Sequence, residues 1–124
     1  MKLLTSLAPT ISIIVLGQLI TRWRVSSISS GLLNEGVFKR LLFYLSDPWI
    51  LFTYFSILIG SFLYILVLEK YPVSVAYPFN IACTILLVNI GGVFLLNESF
   101  SFKKFIAIIF ITFGATLLAT MDKN

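Results

Sequence analysis

Hydrophobic and polar positions along the 124-residue chain separate into long apolar blocks joined by short polar breaks. A hydrocarbon layer about 30 Å thick takes about 20 helical residues at ~1.5 Å rise each. Four blocks come close to that length without an internal charge. The first covers about residues 3–20 and stops at Arg22 and Arg24; the second covers 48–68 and stops at Glu69 and Lys70. The third covers 73–96, and the fourth, 105–121, is closed by Asp122 and Lys123. In lipid every backbone polar group needs an internal partner, and blocks this long and uniformly apolar meet that need as helices, not as alternating barrel strands. The pattern predicts an all-α membrane protein with one domain of four transmembrane helices.

Only one connection is long. Residues 25–36, VSSISSGLLNEG, are rich in Ser and Gly and read as a loop. Phe38, Leu41, Leu42 and Leu45 then follow at i, i+3, i+4 and i+7 beside Lys39 and Arg40. That spacing describes a short amphipathic helix lying in the headgroup plane before Asp47-Pro48 turns the chain into the second span. A simple extension of the second helix accounts for the same residues nearly as well.

Composition supports the same class. Hydrophobic residues make up 59% of the chain and charged residues 11%, with a mean hydropathy of +1.03, too apolar for a soluble domain of this size. Lys2 before an apolar run resembles a signal peptide, but the run is long, ends in arginines and lacks a small-residue cleavage site, so a retained helix is expected. Cys83, the single cysteine, lies inside the third span and excludes an intrachain disulfide.

Basic residues set the orientation. Arg22, Arg24, Lys39, Arg40, Lys103 and Lys104 fall in the connections between spans one and two and between spans three and four, against Lys2, Lys70 and Lys123 on the other side. The positive-inside rule then makes the richer loops cytoplasmic and places both termini outside.

Four thin helices enclose little, so a working unit is expected to contain at least two chains. Ala107, Gly114 and Ala115 put small residues along the fourth span where another helix could approach, although small residues are common in membrane helices generally.

Candidate chemistry is sparse. The chain has no histidine, and Glu35, Asp47, Glu69, Glu98 and Asp122 all sit at span ends or in loops. No phosphate-binding glycine loop, metal-ligand cluster or nucleophile–base pair is present, so neither an enzyme, a metal nor a cofactor is expected, and nothing points to nucleic acid. Inside the spans Ser and Thr can bond back to their own helix. Gln18, Asn80 and Asn89 are more informative, because an amide in lipid is costly unless it is paired or lines a wet cavity. Helix-to-helix bonding and a substrate-lining role are both open for them. Pro78 removes one helical hydrogen bond, so a kinked third helix presenting Tyr77 and Asn80 forms a coherent cavity wall.

The string LVLEKYPVSVAYPF, residues 66–79, and the string NESFSFKKFIAIIFITFGATLLA, residues 97–119, resemble the small multidrug resistance-like branch of the drug/metabolite transporter superfamily. Within that branch the chain looks most like the ArnE/ArnF-type paired subunits that flip undecaprenyl-phosphate-linked aminoarabinose, and GQL at Gly17 to Leu19 agrees. The likeness is weakest over residues 25–47. Departures are informative: the exporters of this branch carry a membrane glutamate where this chain has Ile14, tend to have a tryptophan at Asn80, and have a glycine-rich kink at Ala82 to Thr84. A lipophilic cation would find neither the acid nor the aromatic platform.

The resemblance implies a flippase subunit in a bacterial inner membrane, moving a polyprenyl-phosphate-linked glycan by alternating access with a similar four-helix chain, as a hetero- or homodimer. Gln18, Tyr77 and Asn80 would hydrogen-bond the head group while the tail stays in membrane lipid. Arg22 and Arg24 at the cytoplasmic end could attract its phosphate, although topology signalling and snorkelling explain them equally well. A small multidrug resistance-type exporter and a non-transporting scaffold subunit are the rival readings.

Overall fold

The computed structural model describes residues 2–121. They form α1 (Lys2–Ile28), a 3₁₀ turn (Ser29–Gly31), α2 (Val37–Ser46), α3 (Pro48–Leu68), α4 (Val73–Leu95) and α5 (Phe102–Met121). No strand occurs among the described residues, and α1, α3, α4 and α5 are each long and apolar enough to cross a membrane. Asp122 and Lys123, expected to close the last span, lie outside the described residues.

One expectation is corrected. Residues 25–28 do not belong to a loop, because α1 runs on through them to Ile28. Ser26 and Ser27 hand their hydroxyl protons to the carbonyls of Arg22 and Trp23, so the hydroxyls that commonly break helices here stay on the helix.

Local chemistry sets the other boundaries. Asp47 is extended (φ −75°, ψ 125°), which separates α2 from α3. Its carboxylate accepts from the backbone N–H groups of Trp49 (3.0 Å) and Ile50 (3.4 Å), capping α3 behind Pro48 at the first helical position. Pro72 is extended and starts α4, which continues across Pro78 to Leu95. Asn97 ends α4 by adopting the left-handed conformation (φ 53°), which folds the Glu98 N–H back onto the Gly92 carbonyl at 3.0 Å. Ser101 opens α5, its hydroxyl accepting from the Lys104 N–H at 3.3 Å.

In space the spans do not follow chain order. α1 is central, packing on α3 along one side and on α4 along the other; α5 packs on α4, and α2 rests on α3. Lipid gives apolar helices little reason to associate, so close backbone approach and interhelical hydrogen bonds have to hold α1 to α3. Gly17 supplies the approach, since a Cβ there would sit 3.1 Å from Ile57 Cγ1, and Gly60 admits Ile13 at 3.4 Å in the same way. Thr21 adds a 3.0 Å hydrogen bond to Thr53. Thr53 spends its own proton on the Ile50 carbonyl at 2.8 Å, so Thr21 is the donor. The apolar core, Leu7, Ile11, Val15, Val67, Ala76 and Phe79, lies in the half of the bundle nearest the α1 N-terminus.

Candidate functional site

The open half of the bundle starts at Gln18. This residue continues the stripe of Leu7, Ile11 and Ile14 at the four–three–four spacing of one helix face. Leu7 is 0% exposed and Ile14 half-buried, whereas Gln18 is exposed. α3 and α4 each pack on α1 and hardly touch one another. A stripe that is covered near Leu7 is therefore uncovered at Gln18 and at Arg22, one turn further on.

Tyr77 and Asn80 do not face the same way. Tyr77 is 54% exposed and borders a shallow groove of about 340 Å³ with Pro78, Ile81, Ile111, Gly114 and Leu118. Asn80 is 8% exposed, inside the bundle, and its Oδ1 has no hydrogen-bond partner. The wall expected to present both residues thus has an outer rim at Tyr77 and an inner group at Asn80.

Asn80 is not alone at its level. Thr10, 1% exposed, and half-buried Tyr64 also carry hydroxyl oxygens without a partner. Helix register explains why these groups collect. Contacts of Thr21 with Thr53 and of Gly17 with Ile57 fix the antiparallel pairing of α1 and α3, and the same pairing carried upward sets Thr10 opposite Tyr64. Leu19 lies over Gly91, so α1 and α4 run side by side with Thr10 level with Ala82, two residues or about 3 Å from Asn80. Unsatisfied buried polar atoms are rare in proteins, and three at one level set this layer apart from the apolar core around it.

The arginines are engaged. Arg22 Nε donates to Glu98 Oε1 at 3.0 Å and Arg24 Nε to Asp47 Oδ2 at 2.8 Å. Arg24 is therefore tied to a buried carboxylate that also caps α3, a structural role. Burial pushes the Asp47 carboxyl up, but the Arg24 bond and the N–H groups of Ile50 and Trp49 outweigh it and hold the group below its usual value. Arg22 remains 59% exposed with Glu98 beside it, so its other N–H groups stay accessible to an anion. Trp23 and Trp49 meet edge to face at this same end, 5.8 Å apart, where aromatic belts mark the membrane surface.

The small residues of α5 divide. Ala107 and Gly114 are exposed, and a Cβ on Gly114 would meet nothing within 4 Å. Ala115 is buried against its own bundle and is not available to a partner chain. Two larger cavities flank α4 and α5: one of about 600 Å³ near Asn89, Thr112 and Lys104, and one of about 550 Å³ at the opposite end, near Lys2 and Lys70. Asn89 is the one amide of the sequence reading that lines the first of these, while Thr10 carries no signal in the sequence. Thr10 falls on the α1 face toward α3, which a helical projection reveals only once Gly17 and Thr21 are known to face α3 as well.

Among the described residues no group of three His, Cys, Asp or Glu side chains could hold a metal. No family model, curated protein or solved structure matches the chain.

Proposed function

We propose that the chain is one subunit of a flippase for a polyprenyl-phosphate-linked sugar, working by alternating access beside a second four-helix chain in a bacterial inner membrane with its termini outside. The observation that carries this reading is the layer of Thr10, Tyr64 and Asn80. Its buried oxygens are uncharged and unpartnered, and no carboxylate, lysine or arginine lies within it. Such a lining hydrogen-bonds the hydroxyl groups of a sugar head, whose own phosphate balances any amine it carries, and gives a lone lipophilic cation no counter-charge. The tail of a lipid substrate needs no enclosure, which fits a bundle whose helices stay exposed over most of their outer faces.

The second chain is called for by α5. This helix is apolar around its circumference and is the least covered of the four spans, with Ala107 and Gly114 open on one face. The resemblance of residues 66–79 and 97–119 to paired lipid-flippase subunits points the same way.

Native mass spectrometry of the gently extracted complex tests the reading. The expected result is two four-helix chains retaining a polyprenyl phosphate or its glycosylated form. A lipid-free homodimer that exports quaternary ammonium compounds would replace it with the exporter reading. An assembly whose partner enzyme keeps full activity when Gln18, Tyr77 and Asn80 are replaced would replace it with the scaffold reading.

A further inference from the structure

We propose that the cavity between Lys2 and Lys70 binds the phosphate monoester of a single lipid, holding it at the end of the bundle that carries the α1 N-terminus and the α3–α4 turn. The cavity encloses about 550 Å³, within the roughly 300–1,000 Å³ of small-molecule sites. It is built by four segments: the start of α1, the α3–α4 turn, the first half of α4 and the last turns of α5.

Its lining is amphipathic. Lys2, Lys70 and Tyr71 bring its polar groups, Phe79 belongs to its apolar wall, and Thr116 and Thr120 also line it with their hydroxyl protons already given to the Thr112 and Leu117 carbonyls. Both lysines are exposed, and neither forms an ion pair among the described residues. Glu69, the one described carboxylate at this end, does not line the cavity. Asp122 and Lys123, next in the sequence after α5, lie outside the described residues.

The charge count selects the ligand class. A phosphate monoester carries about −1.5 to −2 at neutral pH, which two ammonium groups balance, and lysine binds phosphate as a point charge without needing a fixed fork geometry. Free phosphate would leave the apolar wall of Phe79 and its neighbours without a partner, and a plain hydrocarbon would leave the lysines without one. An anionic lipid satisfies both. The site rests on the flippase reading only for which lipid visits it: the sugar-linked substrate is a phosphodiester with a single charge, so under that reading the visitor is the polyprenyl phosphate monoester left once the sugar has been removed.

The test is scintillation-proximity binding of tritiated farnesyl phosphate to the full chain, purified in an uncharged detergent and monodisperse for every variant. Saturable binding to the wild type is expected, with Lys2→Gln/Lys70→Gln weakening it by about tenfold or more and Lys2→Arg/Lys70→Arg restoring most of it. Lys103→Gln/Lys104→Gln removes the same charge from the opposite end and should leave affinity unchanged. Unchanged affinity in Lys2→Gln/Lys70→Gln, or an equal loss in Lys103→Gln/Lys104→Gln, would overturn the site. Inorganic phosphate competing as well as farnesyl phosphate would overturn its assignment to a lipid. Asn80→Leu should leave this binding intact, and the two proposals fail separately: a wild-type protein that binds farnesyl phosphate but moves no lipid head group would remove the flippase reading while the phosphate site stands.

Discussion

Replacing Asn80 with leucine should make the protein more stable and inactive at once. Asn80 is 8% exposed, and its Oδ1 reaches no donor. Leaving a buried acceptor unsatisfied costs about 1–3 kcal/mol. Partners found in the membrane-unfolded state reduce such differences, and hydrogen bonds between transmembrane helices average only about 0.6 kcal/mol. A gain of about 1 kcal/mol is therefore the expected size, or about 3–5 °C in Tm for a chain of this length. Leucine keeps the branched heavy-atom skeleton of asparagine with bulkier methyl ends, so no new cavity opens and the extra volume holds the gain to the low end of that range. Cys83 supplies the assay. It is the only cysteine, half-buried one turn from Asn80 and packed against the core, so a thiol-reactive fluorophore reports the temperature at which α4 comes free. Circular dichroism on the same samples separates melting from a local change in thiol access. A lower Tm with head-group transport intact would refute the reasoning, because Asn80 would then be helix-to-helix glue.

Other changes probe the frame around that layer. Asp47 is held below its unfolded value, so its contribution is full above that value and is lost as pH falls through the lower folded one; wild type should lose stability only below about pH 4, and Asp47→Asn should flatten the acid limb of a Tm-versus-pH series. Gly17→Val drives a methyl into Ile57, already 3.1 Å from the position of a Cβ, and should cost about 1–3 kcal/mol by thermal unfolding, with Ile57→Ala in the same chain restoring part of it. The Arg22–Glu98 pair is exposed on both sides, so a double-mutant cycle with Arg22→Gln and Glu98→Gln should return a coupling of no more than about 1 kcal/mol.

Much of the architecture could be read from hydropathy, because a bilayer demands long uncharged helices and leaves few other ways to satisfy the backbone. α3 begins at Pro48 and ends at Leu68 where the charges and prolines say it should. The far end of α1 was hidden, since serine at positions 26 and 27 signals a loop unless its hydroxyl bonds back to the preceding turn. The site was less legible. Whether Arg22 and Arg24 are free depends on Glu98, 76 residues away, and on Asp47, 23 residues away, and no local pattern records such pairings. Tyr77 and Asn80 lie three residues apart, which places them near one face, but the bundle buries only Asn80, and helix spacing does not show where a neighbouring helix stops. Thr10 was hidden for a simpler reason: a lone threonine in a span satisfies itself so often that only the absence of a partner marks it.

Transbilayer movement of the substrate head is the decisive measurement. The chain, together with whatever four-helix partner copurifies, is placed in phosphatidylcholine vesicles containing a polyprenyl phosphate bearing an amino sugar. A membrane-impermeant amine reagent then counts head groups on the outer leaflet over time. The protein should expose the inner-leaflet pool well ahead of protein-free vesicles, and Asn80→Leu should bring the rate back to that background. Vesicles in which the lipid stays put while a lipophilic cation crosses would contradict the flippase assignment.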